Sequence, residues 1–429
     1  MTAHNKMPVV ASRASKVQVV QAACGVEAWL VEDYAVPIVA IDFAFRGGSS
    51  QDQSGKAGTA TMFSALLDEG AGDLDSDAFH RAMDDKAIEM GFSADRDLLT
   101  GQMRTLARET DAAFGLLGLA VNEARLDEAA VERIRGQLSA GLKNEMNDPD
   151  SRAAKAFRVA AFGGHAYGLP VRGDLDSVAR IQRGDFTRFK AQALARDNVK
   201  IAVVGAIDAA GVARQLDRVF GSLPAHAVLA PVAEVILAGL GTRHVADLDI
   251  PQTTIRFGRP GIARKDADFI AAMVVNHILG GGAFTARLFR EVREKRGLAY
   301  SVYAQLANYD HCAFLMGGTS TKNERAVESL DVIQAEIRAL GADGPSADEL
   351  DKAQKYLTGS YALRFDTSSK IANQLTQLQV EGFGLAYLDE RNVLIDAVTL
   401  PDAQRVAARL YGDGELLVAA AGRPEGMVL

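Results

Sequence analysis

The sequence predicts an α+β protein built from two homologous halves, each a mainly antiparallel sheet carrying helices. Three observations point there. The chain has 429 residues, enough for two to four domains. Its 48% hydrophobic and 24% charged residues suit a globular core and exclude a disordered, collagen-like or disulfide-scaffold chain. Strand-like segments recur at a nearly constant offset, with hairpins and helices between them in the same order.

The elements follow in turn. Val39, Ile41, Phe43 and Phe45 alternate with smaller or polar residues, the pattern of a half-buried strand. Ile255–Gly258 reads the same way, with Phe257 lying 214 residues after Phe43. Lys200–Gly205 reads as a buried strand ended by glycine, and Leu416–Gly422 repeats it, with Leu416 215 residues after Ile201. In the first half an edge strand leads to helices near 57–69 and 76–87, strands near 90–106, and helices near 109–124 and 127–146. The second half predicts helices near 265–279 and 285–296, strands near 299–306 and 312–319, and helices near 322–340 and 346–362. Asp127 precedes the apolar stripe Val131, Ile134, Leu138 as an N-cap, and Ser346 with Glu349 forms a capping box. The loop-rich stretch 222–245 reads as the linker, giving halves at 15–230 and 231–429. Paired halves offer a cleft, and sites favour such interfaces.

Composition narrows the function classes. Lys and Arg number 47 against 55 Asp and Glu, for a net charge of −8, which argues against nucleic acid as a partner. The two cysteines, Cys24 and Cys312, fall one in each half; they cannot build a four-thiolate metal site, and nothing in the sequence pairs them. No run reaches the roughly 18 apolar residues that a spanning helix needs, so no membrane span is expected. The opening Met1–Lys16 lacks the apolar core of an export signal.

Metal and nucleophile chemistry is restricted further. The seven histidines, at 4, 80, 165, 226, 244, 277 and 311, are too widely spaced for HxxxH or HxxEH, so no helical two-histidine zinc site can form and no metal is expected in this chain. No GxSxG elbow or GxxxxGK[ST] loop occurs. The glycine cluster Gly280, Gly281, Gly282 reads as a flexible turn using positive φ, or as a mobile loop that touches peptide backbone over a cleft. In the stretch Thr285–Tyr303, the arginines and glutamates read as a solvated helix face, with Gly297 as its C-cap and Tyr300 opening a strand. A second reading brings Arg293 and Tyr300 together across the helix end. A guanidinium and a phenol are both donors, suited to a carbonyl oxygen that gains negative charge during amide hydrolysis.

The stretch GGGAFTARLFREVREKRGLAYSVYA, Gly280–Ala304, resembles the second-half signature of the pitrilysin-type zinc peptidases (inverzincins), which include mitochondrial processing peptidase and two-chain bacterial peptidases. The resemblance runs over nearly the whole chain. Phe45–Ser49 resembles the strand before the family's metal helix, and His165–Pro170 with Gly173 its later Gly/Tyr/Pro segment. The metal helix itself departs. Where the family reads Gly-x-Ala-His-x-x-Glu-His, this chain reads Gly58-Thr-Ala60-Thr61-Met-Phe-Ser64-Ala65. Thr61 and Ala65 fill the histidine positions and Ser64 that of the glutamate base. Aligning Arg135 with a family arginine puts Gly141 at the third ligand, a glutamate. Such side chains cannot replace imidazole and carboxylate at zinc.

The resemblance therefore implies a clamshell of two homologous halves, inactive alone, pairing with a homologous HxxEH-bearing chain that carries the zinc. It implies that Arg293 and Tyr300 serve the partner's metal in trans and that Gly280–Gly282 line the path of an unfolded peptide; the compartment, bacterial cytoplasm or periplasm, stays open. The alternatives from other classes are a scaffold subunit like respiratory-complex core proteins and a non-hydrolytic peptide-binding module.

Overall fold

The computed structural model describes residues 14–427. Most of the opening stretch read for a signal core, residues 1–13, lies outside the described residues. Strands β1 (Gln18–Gln21), β2 (Glu27–Glu32), β3 (Ile38–Arg46), β4 (Glu89–Ala94), β5 (Leu98–Leu106) and β6 (Val199–Gly205) form one sheet in the order β1-β2-β6-β3-β5-β4. Strands β7 (Arg243–Asp247), β8 (Gln252–Pro260), β9 (Val302–Tyr309), β10 (Cys312–Lys322) and β11 (Leu417–Gly422) form the other, in the order β7-β11-β8-β10-β9.

Apart from β1, the two sheets repeat each other pair by pair. β2 runs parallel to β6, as β7 does to β11, and every other pairing is antiparallel. The repeat extends to side chains. Phe43 faces Gly101 across β3 and β5, and Phe257 faces Gly317 across β8 and β10. A Cβ on either glycine would stand 2.2 Å from the facing ring, so each sheet needs glycine there to seat its phenylalanine.

β3 differs from the half-buried edge strand expected. It lies between β6 and β5, and Val39–Phe45 are buried without interruption. The second face is covered by a helix from the other half. Helix Ser368–Val380 lies across β6 and β3, and its Ala372, Leu375 and Leu378 cluster with Trp29, Ala202 and Val204. Thr376 donates a hydroxyl hydrogen bond to the Asp42 carbonyl at 3.0 Å. The first half returns the exchange. Helix Pro149–Phe162 lies on β11, β8 and β7, where Phe157, Ala161 and Phe162 join Phe314, Leu417 and Ala419. A division near residue 230 follows the two sheets, whereas three of the hydrophobic clusters cross it.

Local corrections have local causes. The expected linker ends earlier, because Arg243–Asp247 becomes β7 by pairing with β11. Before it the chain is strapped to both halves, with Val228 N–H on the Gln192 carbonyl and Val235 N–H on the His311 carbonyl, both through backbone. Asp127 stands at the N-cap of helix Glu128–Glu145, yet its carboxylate pairs with Arg125 at 2.6 Å instead of a helix N–H. The Ser346/Glu349 capping box forms as expected. Cys24 and Cys312 are both free. Among the described residues, no helix is long and apolar enough to cross a membrane.

Candidate functional site

The expected helix at 57–69 is regular only over Thr59–Ser64. Gly58 starts it with φ +99°, a left-handed conformation that favours glycine. The Asp52 carboxylate accepts from Gly58 N–H at 2.7 Å and Ala60 N–H at 2.9 Å. Burial nevertheless pushes this carboxyl up to about 7. The Thr61 hydroxyl donates to the Val171 carbonyl at 2.8 Å, the Ser64 hydroxyl to the Thr61 carbonyl at 2.9 Å, and Ala65 closes the helix. Both hydroxyls are thus spent on backbone.

Gly141 lies on helix Glu128–Glu145, and a Cβ placed there would stand 2.8 Å from Nη2 of Arg172. On the same helix Arg135 donates to the Val178 carbonyl and, at 2.9 Å, to the Ile181 carbonyl. Thr61, Ser64, Ala65 and Gly141 offer a zinc ion neither imidazole nor carboxylate, and a guanidinium stands beside Gly141. The residues do not fit zinc. Among the described residues, no group of three or more His, Cys, Asp or Glu side chains is placed to hold a metal ion.

The second-half motif is built differently. Two π-helical turns, His277–Gly281 and Phe289–Glu294, bracket the glycine cluster, a local geometry that recurs at functional sites. The positive φ expected of these glycines is not used, since none of the three adopts it. Close approach requires Gly280 and Gly282 instead. A Cβ on Gly280 would stand 2.5 Å from Ala304 N on β9, and one on Gly282 2.8 Å from the His277 carbonyl. Gly281 alone of the three is exposed. Gly297 has φ +58° and donates to the Arg293 carbonyl at 2.9 Å, ending the helix as expected. β9 starts at Val302, so Tyr300 precedes the strand and does not open it.

That turn brings Arg293 and Tyr300 together. The Arg293 guanidinium lies 4.5 Å from the Tyr300 ring centroid and 4.8 Å from that of Phe289, held between two aromatic faces. Tyr300 is 82% exposed, and neither side chain has a hydrogen-bond partner among the described residues. The pair is positioned by stacking, which leaves the guanidinium N–H groups and the phenol O–H free to donate.

The rest of the stretch is less solvated than a surface helix. Lys295 pairs with Glu291 at i,i+4, but Arg287 reaches Glu349 through two 2.7 Å bonds, with both side chains largely buried. Burial alone would raise the Glu349 carboxyl; the Arg287 guanidinium overrides this and holds it down to about 2. The contribution is full above the unfolded carboxylate range near 4.5 and is lost as pH falls through about 2. Glu349→Gln should therefore cost about 3 kcal/mol in urea unfolding at pH 7, by stranding a buried guanidinium, and much less at pH 2.

Three features escaped the sequence reading. Phe284, 69% exposed, stacks edge-on against Phe289 at 5.0 Å. His277 stacks on Tyr356 at 4.8 Å, and helical spacing gives no hint of a partner 79 residues away. Arg172 stands between Pro170 and Gly173 but carries no local signature.

The comparisons with known proteins agree with this layout. The family description "Peptidase M16 inactive domain" matches residues 180–357, which include the whole Arg/Tyr motif. A Helicobacter pylori protein described as a non-peptidase homolog, YmxG, is 26% identical over 345 residues, 80% of this chain and 79% of that protein. A crystal structure of a peptidase M16 inactive domain from Pseudomonas fluorescens superposes with a TM-score of 0.88 at 26% identity, covering 95% of this chain and 97% of that one. Over most of its length the chain is similar to proteins of the M16 peptidase type. Like its M16 neighbours it has the α+β clamshell fold. A chain of Complex III2 from Candida albicans shares the fold alone, with a TM-score of 0.78 at 18% identity over 96% of this chain and 97% of that one.

Proposed function

We propose that this chain is the metal-free subunit of a two-chain zinc endopeptidase, paired with a homologous HxxEH-bearing chain. One observation carries the reading: the family's metal positions hold Thr61, Ser64, Ala65 and Gly141, while Arg293 and Tyr300 are stacked, accessible and unpartnered. The partner's zinc would supply the activated water. From this chain, Arg293 and Tyr300 donate to the scissile carbonyl as it becomes an oxyanion, the role that fixed donors play best where solvent is excluded. Gly280–Gly282 line the path, with Gly281 the member open to an incoming chain.

The substrate is an unfolded peptide bound as an added strand. β4 and β9 are outer strands at equivalent ends of the two sheets. On β9 the Ala304 carbonyl is already taken by Asn276 Nδ2 at 3.3 Å, which favours β4, whose residues are all exposed or half-buried. The likeness to the Complex III2 chain concerns fold alone, and the unpartnered Arg293/Tyr300 pair speaks against a purely scaffolding role.

Reconstitution tests the reading. Isolated, the chain should leave an unfolded fluorogenic peptide intact; mixed with the HxxEH chain, it should form a complex that cleaves the peptide. Binding without cleavage in the mixture would instead make it a non-hydrolytic peptide-binding module.

A further inference from the structure

Arg172 touches both elements on which this family keeps its metal ligands. Through backbone it meets the short helix Thr59–Ser64. Its carbonyl lies 2.8 Å from where a Cβ on Gly58 would stand, and the carbonyl just before it, that of Val171, accepts the Thr61 hydroxyl. Through its side chain it meets helix Glu128–Glu145, where Nη1 pairs with Glu145 and Nη2 lies against the bare Cα of Gly141. Glu145 and Gly141 are four residues apart, so they share one face of that helix.

Two consequences follow from chemistry. Glycine costs about 1 kcal/mol against alanine inside a helix, yet Gly141 stands there with an ordinary helical neighbourhood and no positive φ. The missing side chain leaves room for a guanidinium. A carboxylate restored at 141 would also meet this fixed positive charge at contact distance before any metal arrived. Arginine cannot release its proton at working pH, so the charge cannot be switched off.

We propose that Arg172 is an internal cation that replaces the metal, linking helix Thr59–Ser64 to helix Glu128–Glu145 and excluding a divalent ion from the space between them. The inference rests on the reading of Thr61, Ser64, Ala65 and Gly141 as the former ligand positions. It adds that the loss of zinc binding has two locks. The ligands are absent, and a guanidinium stands against Gly141, half-exposed and tethered through Glu145. Restoring ligands alone therefore fails to restore the metal.

The test uses the full chain carrying Thr61→His, Ser64→Glu, Ala65→His and Gly141→Glu, with Arg172 intact or with Arg172→Ala added, titrated with zinc alone by calorimetry. The proposal expects the Arg172→Ala form to bind at least 100-fold more tightly. Equal affinity in the two backgrounds would overturn it and leave the metal-free-subunit reading standing; stoichiometric zinc on the unaltered chain would overturn that reading instead. A milder pair guards against loss of folding. Gly141→Glu and Arg172→Ala, made singly and together, should be coupled by at least fivefold in the unfolding equilibrium, because Glu at 141 gains the guanidinium as partner. Additive effects would contradict the contact on which the proposal stands.

Discussion

Arg293→Ala should lower kcat of the two-chain assembly about 100-fold while leaving complex formation and zinc content unchanged, because removing one oxyanion donor typically costs this much. KM should move little, since the interaction is made to charge that develops only in the transition state. The stacked geometry permits a sharper dissection. Tyr300→Phe keeps the ring against the Arg293 guanidinium, 4.5 Å from its centroid, and deletes only the hydroxyl. A loss confined to kcat would then belong to the phenol O–H. Arg293→Lys keeps the charge but removes the planar fork, and should rescue activity only in part. Full turnover in both Arg293→Ala and Tyr300→Phe would show that the pair does not touch the reacting carbonyl.

The second large effect is on stability and comes from the exchanged helices. Leu375 is 1% exposed and packs in the cluster that contains Trp29, the chain's single tryptophan. Leu375→Asp places an unpaired carboxylate there and should destabilise the protein by about 4 kcal/mol or more. The readout crosses the molecule in sequence. Trp29 sits 346 residues before the substitution, yet its emission should shift to the red, and its urea midpoint should fall together with that of the far-ultraviolet signal. Unchanged Trp29 emission, with only second-half structure lost, would mean that the halves fold independently.

What could be read in the sequence depended on how local its cause was. The alternation in β3, the glycine-ended strands β6 and β11, and the Ser346/Glu349 capping box are set by neighbours within a few residues, and they were legible. So was the meeting of Arg293 and Tyr300, because Gly297 folds the chain back within one turn. The burial of β3 on both faces was not legible, since the covering helix arrives from more than 320 residues away. Asp127 was misread because a nearer cation, Arg125, competes for its carboxylate. The glycine cluster suggested freedom of φ, where the cause is the approach of β9 and the His277 carbonyl. The absence of imidazole and carboxylate at 61, 64, 65 and 141 was plain from residue types. The guanidinium that stands beside Gly141 became visible only once residues 31 apart in sequence were brought together.

The most direct test of the division of labour is elemental analysis of the isolated chain, purified without chelator and assayed in parallel on an unfolded peptide. The account predicts far less than one zinc per chain and no turnover, with both appearing only when the HxxEH partner is added. One tightly held zinc per chain, with peptide hydrolysis that a chelator abolishes, would contradict it.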